Sequence, residues 1–349
     1  DRYASSDLFF LKNGEFVDRF EDDVVRYTGA KYAIATVNGT AALHIALKLV
    51  GVENNTEVIT QSLTFVATCN AIRYCGAKPI LIDVDRDTLG LCPVKLKFFL
   101  EENCELRDDG FCWNKLSNSK ILVCLPMHTF GFPLYIDELV DLCNEYNIPV
   151  VEDAAESLGS YYKGKHTGVF GLVGVFSFNG NKIATAGGGG CIVTNDESIA
   201  IKAKHLSTQA KMPHKWEYKH DEVGYNYRMP NLNAALACAQ LEKLDLYVEN
   251  KRELSDLYYE FLKENKLLEQ IRETKNARAN YWLNAVVLED KTERDNLLTF
   301  TNENGVMTRP IWGLLNKLEM FKGCPKGDLS NAEWLEERVV NVTSSVRLN

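Results

Sequence analysis

"KYAIATVNGTAALHIALKLV", Lys31–Val50, is the stretch whose reading sets the architecture. "KYAIATV" is short, apolar and closed by a turn signal, which predicts a strand. "NGT" marks a helix start, and "TAALHIALKLV" after it has helical spacing. Further strands are predicted at "EVIT", "KPILIDV", "SKILVCLP" and "IPVVEDA", with helical spacing in "IDELVDLCNEYN". The strand segments are nearly continuous in apolar residues, as in a sheet covered on both faces. Alternating strands and helices imply an α/β fold with a mostly parallel central sheet.

The character changes at "PNLNAALACAQLEKLDLYVENKRELSDLYYEFLKEN", a charged amphipathic stretch with Pro230 at its start. It predicts one long helix. A strand, "YWLNAVVL", another helix and the loop "GVMTRPIWG" follow. The expected organisation is a large α/β domain over 1–235 and a smaller C-terminal α+β domain over 236–349, joined by the long helix.

The net charge of −9 excludes a broad basic face for nucleic acid or an anionic membrane. An anionic ligand therefore needs a local site. No apolar run approaches the length of a membrane span, and "DRYASSDLFFLKNG" lacks the pattern of a signal peptide. A cytoplasmic protein is expected. The 10 cysteines form no CxxC pair, and several sit in apolar runs such as "LVCLP" and "LACAQL", which predicts buried free thiols. The 6 histidines show no HExxH or HxxxH spacing, so no metal site is expected.

Three segments carry candidate chemistry. Asn38, Gly39 and Thr40 follow a strand and open a helix, where free backbone N–H groups and the dipole favour an anion. Taken alone, this is also an ordinary N-cap. Asp153 ends a predicted central strand, at the edge where parallel sheets bind ligands, and Glu156 follows three residues on. Taken alone, Asp153 is also a turn or cap residue. "SFNGNKIATAGGGG", Ser177–Gly190, closes a strand, turns through Lys182 and returns through "CIVTND". A lone loop lysine is a solvated charge. Here an anion site, a strand-end carboxylate and a loop lysine occur in chain order on successive connections. Pyridoxal 5'-phosphate needs that set: a helix N-terminus for its phosphate, a carboxylate for its ring nitrogen and a lysine for its aldehyde. The glycines after Lys182 are expected to let the backbone turn tightly beneath the planar ligand.

With these residues in view, the sequence resembles the DegT/DnrJ/EryC1/StrS family of pyridoxal-phosphate sugar aminotransferases. The resemblance rests on "NGTAALHIAL", "TFVATCNAIRYCGAKPILIDVD", "HTFGFP", "VVEDAAESLGSYYKGKHTGVFG", "FSFNGNKIATAGGGG", "HDEVGYNYRMPNLNAALACAQLE" and "TRPIW". These segments span nearly the whole chain, and "SFNGNK" with "GYNYR" and "TRPIW" looks most like the UDP-4-amino-sugar branch (bacillosamine or legionaminic acid).

The resemblance implies the aspartate-aminotransferase type of fold, PLP-dependent transferase fold type I, and a homodimer with an active site shared between subunits. It implies that Lys182 carries the Schiff base to pyridoxal 5'-phosphate and that Asp153 pairs with the ring nitrogen, with Glu156 nearby. Thr40, Ala41 and Ser177 fall at phosphate positions. Asn226 lies in the segment that reaches the neighbouring subunit's cofactor, and His128 at a ring-stacking position. Arg228 and Arg309 are candidate substrate cations, with a structural ion pair as the equal alternative. Tyr281 and Trp282 are candidates to pack on base or sugar, core packing being the alternative for at least one. The implied reaction is a ping-pong transfer from glutamate to a UDP-4-keto-6-deoxy-N-acetylhexosamine. The alternatives are another nucleotide-linked 4-keto-6-deoxyhexose, of the viosamine or perosamine type, and an inactive cofactor-binding scaffold.

Overall fold

The computed structural model describes residues 14–265 and 268–347. The segment "DRYASSDLFFLKN", read above against a signal peptide, lies outside them. Helix α1 (Glu15–Thr28) buries Val17, Phe20 and Val24, three and four residues apart on one face. It ends at Gly29, whose φ of 76° is left-handed. Strand β1 (Tyr32–Thr36) then enters α2 (Gly39–Leu49), as the opening stretch predicts.

The alternation continues through β2 (Thr56–Gln61), α3 (Val66–Tyr74), β3 (Lys78–Ile82) and α4 (Pro93–Asn103). Two short strands, β4 (Cys104–Leu106) and β5 (Cys112–Asn114), lead to β6 (Ser119–Leu125). Helix α5 (Ile136–Glu145) returns the chain to β7 (Val151–Asp153). After the small pair β8 (Tyr161–Tyr162) and β9 (Lys165–His166) come β10 (Val173–Ser177), β11 (Gly190–Thr194) and α6 (Glu197–Ser207).

The strands run in the orders β1-β11-β10-β7 and β3-β2-β6-β5-β4. Bridges from Cys124 to Val150 and from Met127 to Asp153 join β6 to β7 in parallel. From β3 through β2, β6, β7 and β10 each neighbour is parallel, while β11 runs against both β1 and β10. Every residue of β2, β10 and β11 is buried, which is why β10 and β11 read as nearly continuous apolar runs.

The long helix expected after Pro230 is two helices, α7 (Asn231–Leu241) and α8 (Leu244–Asn265). Their buried stripes face different neighbours. Ala234, Ala237 and Cys238 turn α7 onto α1, whereas α8 buries Leu244, Val248 and Lys251. Two short strands, β12 (Glu269–Gln270) and β13 (Ala277–Arg278), precede β14 (Asn284–Val287), α9 (Lys291–Glu303), β15 (Arg309–Pro310), α10 (Ser330–Glu336) and β16 (Val339–Val342). Here β12, β14, β16 and β15 form an antiparallel sheet. Phe130, Phe176 and Phe178 share one buried cluster with Trp282, Ala285 and Leu335, so the C-terminal sheet packs against the main one. Among the described residues no helix is long and apolar enough to cross a membrane. Nine of the cysteines are free and buried, and Cys324 is partly so.

Candidate active site

The site gathers where the parallel strands end at their carboxyl edge. The end of β1 supplies the turn into α2. There the Asn38 side chain accepts from the Ala41 amide at 2.8 Å. The first-turn N–H groups of a helix have no intrahelical partner, so this end is an anion receptor. Ser177 ends β10 directly against it. A Cβ built on Gly39 lies 2.9 Å from the Ser177 Cβ, so only glycine lets the helix start sit on that serine. Gly190 is paired with both Thr36 and Ser177, and a Cβ there lies 2.4 Å from the Asn38 carbonyl. Thr40 is half-buried and Ala41 buried at the same place. The glycine run carries a constraint beyond the tight turn expected of it. Its tightest constraint is the close crossing of β11 and the α2 turn, and Gly187, at φ 72°, makes the bend before it.

Asp153 ends β7 with 2% of its surface exposed. Its carboxylate accepts from the Thr68 hydroxyl at 2.7 Å and from the Ala155 amide at 3.2 Å. Among the described residues no cation bonds to it. Burial raises its pKa above the usual carboxylate value, against the opposing pull of the Thr68 bond. Such a carboxylate suits a buried protonated ring nitrogen.

Lys182 reaches the same region from the turn after β10. Its Nζ donates to Glu156 Oε1 at 3.1 Å and lies 4.2 Å from the centre of the Trp282 ring. The other Glu156 oxygen accepts from the Phe130 amide at 2.9 Å. Phe130 holds a left-handed φ of 57°, a strained backbone that this bond helps to fix. Burial pushes the Glu156 carboxyl up to about 7, with Lys182 as the largest opposing influence. A carboxyl of that acidity exchanges protons readily near neutral pH.

His128 departs from expectation. Its ring is 0% exposed, with Nε2 3.0 Å from Glu152 and Nδ1 accepting from the Leu134 amide. No face is open for stacking on a ligand. Instead the ring supports Glu152, whose carboxylate also gathers the amides of Gly168, Phe170 and Gly171. Tyr281 is likewise a core residue rather than a substrate contact. It is 1% exposed, meets Phe132 edge-on and accepts from the Glu273 amide. Asn226 and Arg228 are exposed and bond to each other at 3.2 Å, beside the end of β1 through the Thr36–Arg228 bridge. Arg309 is exposed on β15, and among the described residues its guanidinium bonds its neighbour's carbonyl, Thr308, at 3.4 Å.

Thr68, Phe65 and Trp312 carry no spacing signal, and Trp282, a candidate in the sequence, meets Lys182 rather than a base or sugar. Thr68 lies 85 residues before the carboxylate it braces. Trp282 is set by the packing of the C-terminal sheet. Phe65, 46% exposed at the start of α3, adjoins Trp312, which also packs on Phe130 at 4.9 Å. A recess of ≈ 700 Å³ between Arg86, Tyr259, Gln270 and Trp334 shares no residue with this site.

The residues fit pyridoxal phosphate. A glycine-cleared helix start with a serine receives a phosphate, a buried carboxylate without a cation receives a ring N–H, and a half-enclosed lysine receives an aldehyde. The chain matches the DegT/DnrJ/EryC1/StrS aminotransferase family over residues 4–349. It is 38% identical over 308 residues to the putative pyridoxal phosphate-dependent aminotransferase EpsN of Bacillus subtilis (strain 168), covering 88% of this chain and 76% of that one. It is 35% identical over 309 residues to the GDP-perosamine synthase of Escherichia coli O157:H7, covering 88% and 79%. The fold superposes on the crystal structure of the aminotransferase TlmJ from Streptoalloteichus hindustanus with a TM-score of 0.86 at 25% identity, covering 96% and 87%. The chain belongs to the DegT/DnrJ/EryC1/StrS family. It is a sugar aminotransferase of PLP-dependent fold type I, and its cofactor is pyridoxal 5'-phosphate.

Proposed function

We propose, with that family membership as premise, that this aminotransferase moves an amino group from glutamate to C4 of a nucleotide-linked 4-keto-6-deoxyhexose. The observation that carries the chemistry is the contact between Lys182 and Glu156 beside buried Asp153. When bound, pyridoxal phosphate supplies an aldehyde for amines and a ring that draws electrons from the carbon losing its proton. Lys182 would hold the cofactor through its amine, and the same tethered amine is placed to move a proton as a base. Glu156, at 3.1 Å and pushed up to about 7, takes and returns the Nζ proton. Asp153 holds a proton on the ring nitrogen, and Thr68 keeps that carboxylate aimed. The α2 start, with Thr40, Ala41 and Ser177, holds the phosphate.

Arg228 and Arg309 are the proposed cations for the sugar nucleotide's diphosphate. Both guanidiniums are exposed and neither bonds a carboxylate among the described residues. Asn226 and Arg228 turn outward, which suits a homodimer in which they serve the partner's site. The buried free thiols suit a reducing, cytoplasmic setting.

The perosamine-type substrate is favoured by the 35% identity to a GDP-perosamine synthase. The UDP-N-acetylhexosamine reading is supported by "SFNGNK", "GYNYR" and "TRPIW" together. The test loads the protein with pyridoxal phosphate, converts it with glutamate and offers 4-keto-6-deoxy sugars on GDP, UDP and dTDP. Mass spectrometry reads the aminated product. Fastest amination of the GDP sugar is expected. Preference for the UDP-N-acetyl sugar selects the second reading, and amination of none sinks the proposal.

A further inference from the structure

The geometry points to Trp282 as a positioning residue for Lys182, an inference that rests on the role proposed for that lysine. The indole touches the lysine turn at two points. Its Nε1–H donates to the Asn181 carbonyl at 2.8 Å, while its ring face lies 4.2 Å from the Lys182 Nζ. One side chain thus grips consecutive residues, one by the backbone and the other by its charged tip.

The indole is itself held. The Trp282 amide donates to Asn280 Oδ1 at 2.8 Å. The Asn280 amide group donates to the carbonyls of Glu156 and Leu158, both at 2.9 Å. The Trp282 carbonyl accepts from Lys251 Nζ at 3.1 Å, and the same ammonium bonds the Ser344 carbonyl. Lys251 is 6% exposed and has no carboxylate among its bonds, so α8 and the chain near Ser344 converge on the back of this one residue. Residues 280–282 therefore tie the backbone at Glu156 and the turn of Lys182 to one rigid strand entry.

The charged groups facing the Lys182 ammonium are Glu156, in contact, and Asp153, with buried His128 beyond Asp153 and Lys251 behind the indole. Glu156 both holds the cation and can take its proton. The indole face holds the cation and takes nothing. It attracts Nζ only while Nζ is charged, so it stabilises the ammonium and releases the neutral amine. Trp282 thus sets the place of the ammonium without joining the reaction.

Two variants test this, Trp282→Phe, which keeps a ring and loses the indole N–H, and Trp282→Leu, which loses both. In the cofactor-free protein, acylation of Lys182 is followed across pH by peptide mass spectrometry, with thermal melting beside it. Acylation near neutral pH should quicken in the order wild type, phenylalanine, leucine, with the leucine variant roughly 2- to 30-fold above wild type. Capture of added pyridoxal phosphate on Lys182, trapped by borohydride, should shift its pH profile in the same order. Equal acylation rates and capture profiles in both folded variants and wild type overturn the inference. If the leucine variant does not fold, an unshifted phenylalanine variant with an unchanged capture profile overturns it alone. If borohydride attaches the cofactor at some residue other than Lys182 in the wild type, the reading of Lys182 fails first, whatever the variants do.

Discussion

Glu156 is where burial and chemistry meet. Its carboxyl, pushed up to about 7 by burial, binds a proton more tightly folded than unfolded. Its contribution to stability is complete below the ordinary value of 4.5 and is lost as pH rises through about 7. Glu156→Gln removes that dependence. The melting temperature of the cofactor-free variant should gain on wild type as pH rises from about 4.5 to about 7, then run parallel. A constant difference across that range means that the carboxyl is not raised. Thr68 acts on the neighbouring carboxylate. Its hydroxyl favours the ionised form of Asp153, so Thr68→Val lifts that pKa further and weakens the hold on a protonated ring nitrogen. A bond to a charged acceptor of this kind is worth about 1.5–3 kcal/mol. Pyridoxal phosphate affinity, read by equilibrium dialysis, should fall roughly tenfold or more, with the melting temperature lowered far less. Lys182 and Asp153 could be singled out as candidates in sequence because a helix start, a strand-end carboxylate and a loop lysine fall in chain order on successive connections. Thr68, the contact of Trp282 with Lys182 and the interior setting of His128 were not legible, since each depends on partners brought in by folding.

At the scale of elements, the helix start is the piece most sharply constrained. A side chain at Gly39 pushes α2 off Ser177, and one at Gly190 meets the Asn38 backbone. Gly39→Ala should cost about 1–3 kcal/mol by overpacking, and should weaken cofactor binding more than that cost to stability implies, because it parts the two halves of the phosphate site. Chemical denaturation and a pyridoxal phosphate titration measure the two quantities side by side. Affinity unchanged in a folded variant means that the helix start and Ser177 do not act together. The strands were legible because a sheet covered on both faces leaves unbroken apolar runs. The break between α7 and α8 was not, because no glycine or proline marks it. It follows from two apolar stripes that turn toward different neighbours. The glycine run was correctly singled out, but its main constraint is an element crossing, which no local spacing reports.

At the scale of the whole molecule, the α/β alternation was legible from strand and helix periods, and the pairing of two sheets around one core was not. The same limit applies to assembly. Asn226 and Arg228 are exposed, bond to each other and make no contact with Lys182, Asp153 or Glu156 in their own chain. Tyr74, Leu232 and Val223 expose 59%, 83% and 80% of their surface. In the proposed two-fold dimer, Arg228 would enter the partner's site. The consequence is complementation. Lys182→Ala and Arg228→Ala are each expected to be nearly inactive alone. Mixed, dissociated and reassociated, the two variants form hybrids. One site of each hybrid collects both substitutions, and the other collects Lys182 from one subunit and Arg228 from the other. Random pairing makes half of the dimers hybrid and leaves one of their two sites whole, so activity should return to about a quarter of wild type per site. If each chain builds its site alone, no hybrid site regains both residues, and the mixture stays as inactive as its parts.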